Sequence, residues 1–200
     1  MTFPSFFQEA PVITLRDPLA EALGAAADGL IHYHYADAVK LAGHSCPTVA
    51  GAWLLALHGL RALYGAETPE RGAIRVELRA PMDAGTSGVV GAVLSLVTGA
   101  AGEGGFKGLG GRFSRRNLLV YGVELPAEAR FSRLDTSASA LLDYRPERVA
   151  PAPEMPALMA RMVGGVAEPA ERAVFAQLWQ DRVRRILLEH AHDPELIAVR

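Results

Sequence analysis

The chain has 200 residues, half of them hydrophobic and 21% charged, which is enough apolar material for one sizeable core. With 20 Lys and Arg against 22 Asp and Glu, it resembles neither a disordered chain nor a nucleic-acid binder that relies on bulk positive charge. A single cysteine excludes a disulfide framework and a four-cysteine zinc finger. No apolar stretch predicts a membrane span and no signal peptide is recognised, so we expect a cytoplasmic protein.

The first half of the chain carries clear helix signals. Asp17 followed by Pro18 is typical of an N-cap and first helical position, and Cys46 followed by Pro47 repeats the pattern. Alternating His and aromatic residues between these two points predict a short strand. The elements predicted here are, in chain order, a helix over 17–24, a strand over 31–35, a short helix over 36–41 and a helix over 48–63.

The second half begins with alternating apolar and charged residues over 74–81, which predict a strand with one solvent-facing side. An apolar run over 86–97 predicts a buried helix, and a glycine-rich segment follows it. The proline-rich region 127–156 is interpreted as a linker or a laid-out loop. The remaining predicted elements are strands over 117–124 and 129–134 and helices over 156–163 and 169–190.

Strands that cluster after the second long helix, without strict alternation, favour an α+β fold with a mixed sheet over a doubly wound parallel sheet. We assign residues 1–150 to the α+β core. Residues 151–200 are predicted to form a helical extension packed on that core or on a partner subunit.

The sequence Gly43-His44-Ser45-Cys46-Pro47 is the sharpest candidate for chemistry. Cys46 is the expected N-cap of the following helix, where free backbone N–H groups favour a thiolate. A thiolate two residues from an imidazole is either a pair of metal ligands or a nucleophile with its base. A buried thiol beside a satisfied histidine remains the plain structural alternative.

His32 and His34 lie just upstream, and on a strand their side chains would share one face. Together with His44 and Cys46 they offer up to four N/S donors, suited to zinc or another transition metal. Polar positions on a surface strand would explain the two histidines equally well. Asp37 is either an oxygen ligand or the N-cap of the short helix that follows.

His58 is excluded from such a site. It lies twelve residues beyond Cys46 on the same predicted helix, which places it about 18 Å away along the axis.

The glycine-rich segment 104–116 contains two aromatic residues and four cations but matches no nucleotide-binding motif. Lys107 and Arg112 are candidate residues for binding a small anionic molecule, with the glycines allowing close approach. A flexible hairpin with solvated charges is the alternative interpretation.

The motif Ala42-Gly43-His44-Ser45-Cys46-Pro47-Thr48, followed by a long helix, resembles the His-Gly-His-x-Cys-Pro-Gly motif of the FmdE family of formylmethanofuran dehydrogenase subunits. The resemblance covers about residues 31–135. It implies an α-β-α-β-β-β core of the kind compared with the catalytic domain of glyceraldehyde-3-phosphate dehydrogenase.

The chain departs from that family at two motif positions, where Ala42 replaces the first His and Thr48 the last Gly. We expect His32 or His34 to stand in for the missing imidazole if relatives use it. The C-terminal treble-clef zinc finger of some members is ruled out by the single cysteine.

Three functions remain open: a metal-binding protein, with zinc as the favoured ion; a metal-free thiol enzyme with Cys46 as nucleophile and His44 as base; and a non-catalytic ligand-binding dimer. We also predict a homodimer. The reason is that Trp53, Leu54, Tyr64 and Trp179 supply more apolar surface than a core of this size must bury.

Overall fold

Over residues 3–200, the computed structural model forms six α-helices, a two-stranded sheet and a five-stranded sheet, which confirms the α+β class. The helices are α1 Pro18–Ala22, α2 Tyr35–Ala42, α3 Pro47–Tyr64, α4 Ser87–Thr98, α5 Met155–Val163 and α6 Pro169–Arg184. The strands are β1 Ile13–Arg16, β2 Leu30–Tyr33, β3 Ile74–Leu78, β4 Leu119–Tyr121, β5 Ala129–Arg133, β6 Ser139–Tyr144 and β7 Ile197–Val199.

The five-stranded sheet has the order β4-β3-β5-β6-β7. Strands β3 and β4 run parallel, and the other three neighbouring pairs are antiparallel, so the sheet is mixed as predicted. The parallel pair is joined by α4, because a parallel connection needs a crossover that a tight turn cannot supply. From α3 onward the element order is α-β-α-β-β-β.

Helix α3 is the centre of the core and packs against α4 and against strands β5, β6 and β7. Trp53 and Leu54 are fully buried, Tyr64 is nearly so, and the Trp53 indole N–H donates to the carbonyl of Pro11 at 3.0 Å. These three side chains therefore pack inside the subunit and are not available to a dimer interface. For these three residues the expected surplus of apolar surface was wrong, whereas Trp179 is only partly buried, and the homodimer stays a prediction.

Helix α4 is apolar and largely buried, as its sequence predicts. Thr98 at its end is fully buried because its hydroxyl donates back to the carbonyl of Leu94 at 2.7 Å. Within residues 3–200, no helix has the length and apolar character needed to cross a membrane.

Strand β3 differs from its prediction at Glu77, which was expected on a solvent-facing side but is only 5% exposed. Arg130 lies directly opposite on β5 and donates to the Glu77 carboxylate at 2.6 Å. This hydrogen bond, helped by the nearby Arg75, holds the pKa of Glu77 below its ordinary value. Paired in this way, the carboxylate tolerates burial.

The region 127–156 was interpreted as a linker or loop, and this is wrong for residues 139–144, which form β6 at the interior of the sheet. Strands β1 and β7 were not predicted. Strand β7 comes from the segment beyond residue 150 and pairs with β6, so that segment contributes to the core sheet. The last predicted helix, over 169–190, ends earlier as an α-helix and continues as a π-helical turn.

Candidate functional site

The motif Gly43-His44-Ser45-Cys46-Pro47 forms the turn between α2 and α3. Gly43 ends α2 with a φ of +76°, a conformation that glycine adopts at little cost. Cys46 is extended, and Pro47 is the first residue of α3. We call residues 43–47 the motif turn.

Cys46 is the N-cap of α3, as predicted. Its Sγ accepts a hydrogen bond from the backbone N–H of Val49 at 3.4 Å, so the sulfur takes the place usually held by a Ser or Asp oxygen. The residue is 8% exposed. A negative charge on this sulfur would be stabilised by the unpaired N–H groups of the first helical turn.

His44 is exposed, and its ring has a defined tautomer. The Nδ1 atom lies 2.9 Å from the carbonyl oxygen of Ala42. Since a carbonyl can only accept, Nδ1 carries a proton, and in the neutral ring the lone pair is then on Nε2. Metal-binding histidines usually show this arrangement, in which one ring nitrogen donates to a backbone carbonyl and the other is free to coordinate.

Side chains from helices α2 and α6 hold Ser45 in place, and none of these contacts was predicted from the sequence. The Ser45 hydroxyl donates to Gln180 Oε1 at 3.1 Å and accepts from the Tyr35 hydroxyl at 3.0 Å. The Ser45 carbonyl accepts from Trp179 Nε1 at 2.9 Å and from Gln180 Nε2 at 3.2 Å. Helix α6 is thereby docked on the motif turn.

Two tyrosines lie near Cys46, the fully buried Tyr35 and the partly buried Tyr144. Burial raises the pKa of both Tyr35 and Tyr144, so each is a neutral hydrogen-bond donor near pH 7. Tyr144 donates to the carbonyl of Pro47 at 2.9 Å, and its ring lies against Gly51 of α3. A Cβ on Gly51 would come within 2.2 Å of that ring, which explains a glycine at this helical position.

His32 and His34 are not brought to the motif turn in the way the strand pattern suggested. His32 lies on β2, where its Nδ1 is 2.8 Å from the Thr14 hydroxyl. His34 has left the strand and is the N-cap residue of α2. The eight residues of α2 separate it from His44 by roughly 12 Å, at about 1.5 Å per residue.

Asp37 is the third residue of α2 and closes a capping box, whereas the N-cap position expected for it is occupied by His34. Its carboxylate accepts from the backbone N–H of His34 at 3.0 Å and from Lys40 at 3.0 Å. Within residues 3–200, no three His, Cys, Asp or Glu side chains gather into a group able to hold a metal ion. In this arrangement an ion at the motif turn would have at most two such ligands from residues 3–200.

His58 lies within the continuous helix α3, away from its N-terminus, as the sequence predicts. Its Nε2 donates to the carbonyl of Ala191 at 2.7 Å, and burial lowers its pKa. This histidine is a structural contact between α3 and the segment that follows α6.

The glycine-rich segment lies elsewhere. Arg112 lines the wall of a cavity of about 730 Å³, whereas the exposed Lys107 does not. None of His32, His34, His44 and Cys46 lines this cavity. The two proposed anion-binding residues therefore face different surroundings.

Comparison with protein-family models finds no match for the chain, and a search of curated proteins finds no significant relative. The resemblance to the FmdE family accordingly remains an interpretation of the motif turn and the predicted element order.

Proposed function

We propose that this protein binds a transition metal ion, with zinc as the favoured ion, through His44 and Cys46. The observation that carries the proposal is the hydrogen bond from His44 Nδ1 to the Ala42 carbonyl. It leaves Nε2 with its lone pair, on an exposed ring two residues from the cysteine. A neutral imidazole and a thiolate are both ligands that zinc prefers.

Two ligands from one chain leave two positions of a tetrahedral site for water, substrate or donors of a second copy. The homodimer predicted from the sequence belongs to this proposal, as does the cytoplasmic location, where a thiolate stays reduced. Zinc, when bound, supplies Lewis acidity toward a carbonyl or a water molecule. The protein's own contribution is to fix the motif turn through Tyr35, Trp179 and Gln180.

The test is zinc affinity, measured by competition with a chromophoric chelator on protein purified under reducing conditions. His44→Ala is expected to weaken binding by at least about 10–100-fold, the effect of losing even an outer partner of a zinc ligand. His34→Ala is the matched control, since it removes an exposed histidine from the other end of α2. Its affinity should stay within about twofold of wild type, because a surface residue outside the site contributes little.

Equal zinc affinity in wild type and His44→Ala would contradict the proposal. Loss of affinity in His34→Ala would instead show that the ligands predicted from the strand pattern come together in the metal-bound protein.

The metal-free thiol enzyme is the second candidate, and the hydrogen bond from Val49 N–H to Cys46 Sγ favours it. It predicts rapid iodoacetamide labelling of Cys46 that a chelator leaves unchanged. If zinc occupies the sulfur, removal of the metal should speed the labelling.

A further inference from the structure

The cavity that Arg112 lines lies where the end of β1, the start of α1 and two later segments meet. Its walls carry four arginines and two glutamates. We call it the arginine cavity, and its charged lining residues are Arg16, Glu21, Glu70, Arg71, Arg112 and Arg115. Its volume of about 730 Å³ is in the range of small-molecule sites.

Two of the arginines share one buried carboxylate behind the cavity wall. Asp17 is 3% exposed and accepts from Arg71 Nη1 at 2.9 Å and from Arg115 Nη2 at 2.7 Å. One negative charge facing two positive charges leaves this cluster with a net charge of +1. Burial alone would raise the pKa of Asp17, but the hydrogen bond from Arg71 and the charge of Arg115 hold it below its ordinary value.

Arg115 is 6% exposed, and its Nη1 atom has no hydrogen-bond partner among residues 3–200. A buried guanidinium donor without a partner costs free energy. Nη1 lies so close to Gly72 that a Cβ there would be 1.5 Å away. Glycine at this position therefore makes room for the buried cation at the cavity wall.

Arg112 and Arg16 complete the positive wall. Arg16 is paired with Glu21, whereas Arg112 makes no ion pair within residues 3–200 and stacks on the Phe113 ring, 4.9 Å from its centroid. Glu70 is the remaining acid of the wall and attenuates the field of Arg115. The four arginines of the lining outnumber the two glutamates of the lining and the buried Asp17 behind it, so this group of residues has a net charge of +1.

Arg112 lies directly after a tight turn of the backbone. Leu109 and Arg112 exchange both backbone hydrogen bonds at 2.9 Å, across Gly110 and Gly111, which have φ values of +54° and +78°. This is the two-residue turn that requires left-handed residues. Phe113 follows with a φ of +63°, a conformation that a bulky residue rarely adopts and that is often found at functional sites.

We propose that the arginine cavity binds a small organic molecule through its oxyanion, a carboxylate or phosphate group. Arg112 offers a guanidinium group that matches the geometry of an oxyanion, and the Ser114 hydroxyl adds a neutral donor. Arg71 contributes positive charge, since its three nitrogens already donate to protein oxygens, those of Asp17, Leu96 and Val97. Phe113, Pro18 and Leu134 line the apolar remainder, which suits the carbon skeleton. The proposal does not depend on a metal at the motif turn.

The experiment titrates inorganic phosphate and citrate into wild type, Arg112→Gln and Lys107→Gln by calorimetry, at an ionic strength held constant with chloride. Wild type should bind at least one of the two probes saturably. Arg112→Gln should weaken that binding about tenfold or more, as loss of a charge-assisted hydrogen bond does. Lys107→Gln removes the same charge from the same exposed segment but outside the cavity, and should change affinity less than about twofold because solvent screens it.

Ser114→Ala provides a second variant at an exposed cavity residue, with an expected weakening of several-fold for a lost neutral hydrogen bond. Binding of one probe but not the other supports the site and tells whether phosphate or carboxylate is preferred. The proposal is overturned if neither probe binds wild type saturably, or if Arg112→Gln and Lys107→Gln weaken binding equally.

Discussion

Asp17→Asn is expected to lower the free energy of unfolding by about 3–5 kcal/mol, the cost of removing one partner from a buried ion pair. Asn still offers an oxygen to the backbone N–H groups of Leu19 and Ala20, so the cap of α1 is largely kept. The loss comes mainly from Arg115, which stays buried without its partner, and in part from the half-buried Arg71. Urea denaturation followed by circular dichroism measures it.

Glu21→Gln is the matched control for this substitution. Glu21 lies four residues along the same segment and pairs with Arg16, but both side chains are largely exposed. A surface pair of this kind contributes about 0–1 kcal/mol. If both variants lost a similar amount of unfolding free energy, burial of the Asp17 ion pairs would not be the cause of the destabilisation.

The same carboxylate predicts a specific acid dependence. Because the folded state holds the pKa of Asp17 below its ordinary value, its stabilising contribution is complete above about pH 4 and is lost as the pH falls through the folded pKa. The stability difference between wild type and Asp17→Asn should therefore be constant from neutral pH to about pH 5 and shrink below about pH 4. A difference that stays constant down to about pH 2 would rule out this contribution.

Gly72→Ala is expected to destabilise the protein by about 3–4 kcal/mol, through overpacking and a left-handed backbone together. The added Cβ would lie 1.5 Å from Arg115 Nη1, and the φ of +89° already disfavours any side chain. Arg115 would have to leave its position on Asp17. Thermal or urea denaturation gives the free energy directly.

Gly24→Ala separates the two causes. Gly24 has a similar φ of +71°, but nothing lies within 4 Å of the point where an added Cβ would stand. Its substitution should cost about 1–2 kcal/mol, the backbone contribution alone. If the two variants were equally destabilised, close contact with Arg115 would not be the reason for glycine at position 72.

Local chemistry explains what could be predicted of this fold. Asp17 with Pro18 and Cys46 with Pro47 each mark a helix start within a few residues, and both helices begin there. Strand β6 forms a hairpin with the adjacent β5, but its other neighbour, β7, lies far along the chain, and this long-range pairing leaves no mark in the pattern of β6 itself. The nearby prolines pointed to a loop, and tertiary pairing overrode that signal.

In the candidate site too, features set by neighbouring residues were predicted, and features set by residues far apart in the sequence were not. His44 and Cys46 are neighbours in sequence, so their proximity follows from the chain itself. His34 was placed on a strand by alternation, but the helix begins at Tyr35 and turns His34 into a cap. Asp17 was recognised as a cap only, since its partners Arg71 and Arg115 lie 54 and 98 residues away. No sequence period reports such a pairing.

The docking of α6 on the motif turn has a kinetic consequence. Trp179 and Gln180 reach Ser45 across 134 and 135 residues of chain, yet Val183 is the one fully buried residue of α6 itself. A helix with so little buried surface can detach in a sub-global opening that requires less free energy than complete unfolding. Each such opening would free the Ser45 carbonyl, so we expect the rate at which reagents reach Cys46 to depend on the detachment of a helix encoded far downstream.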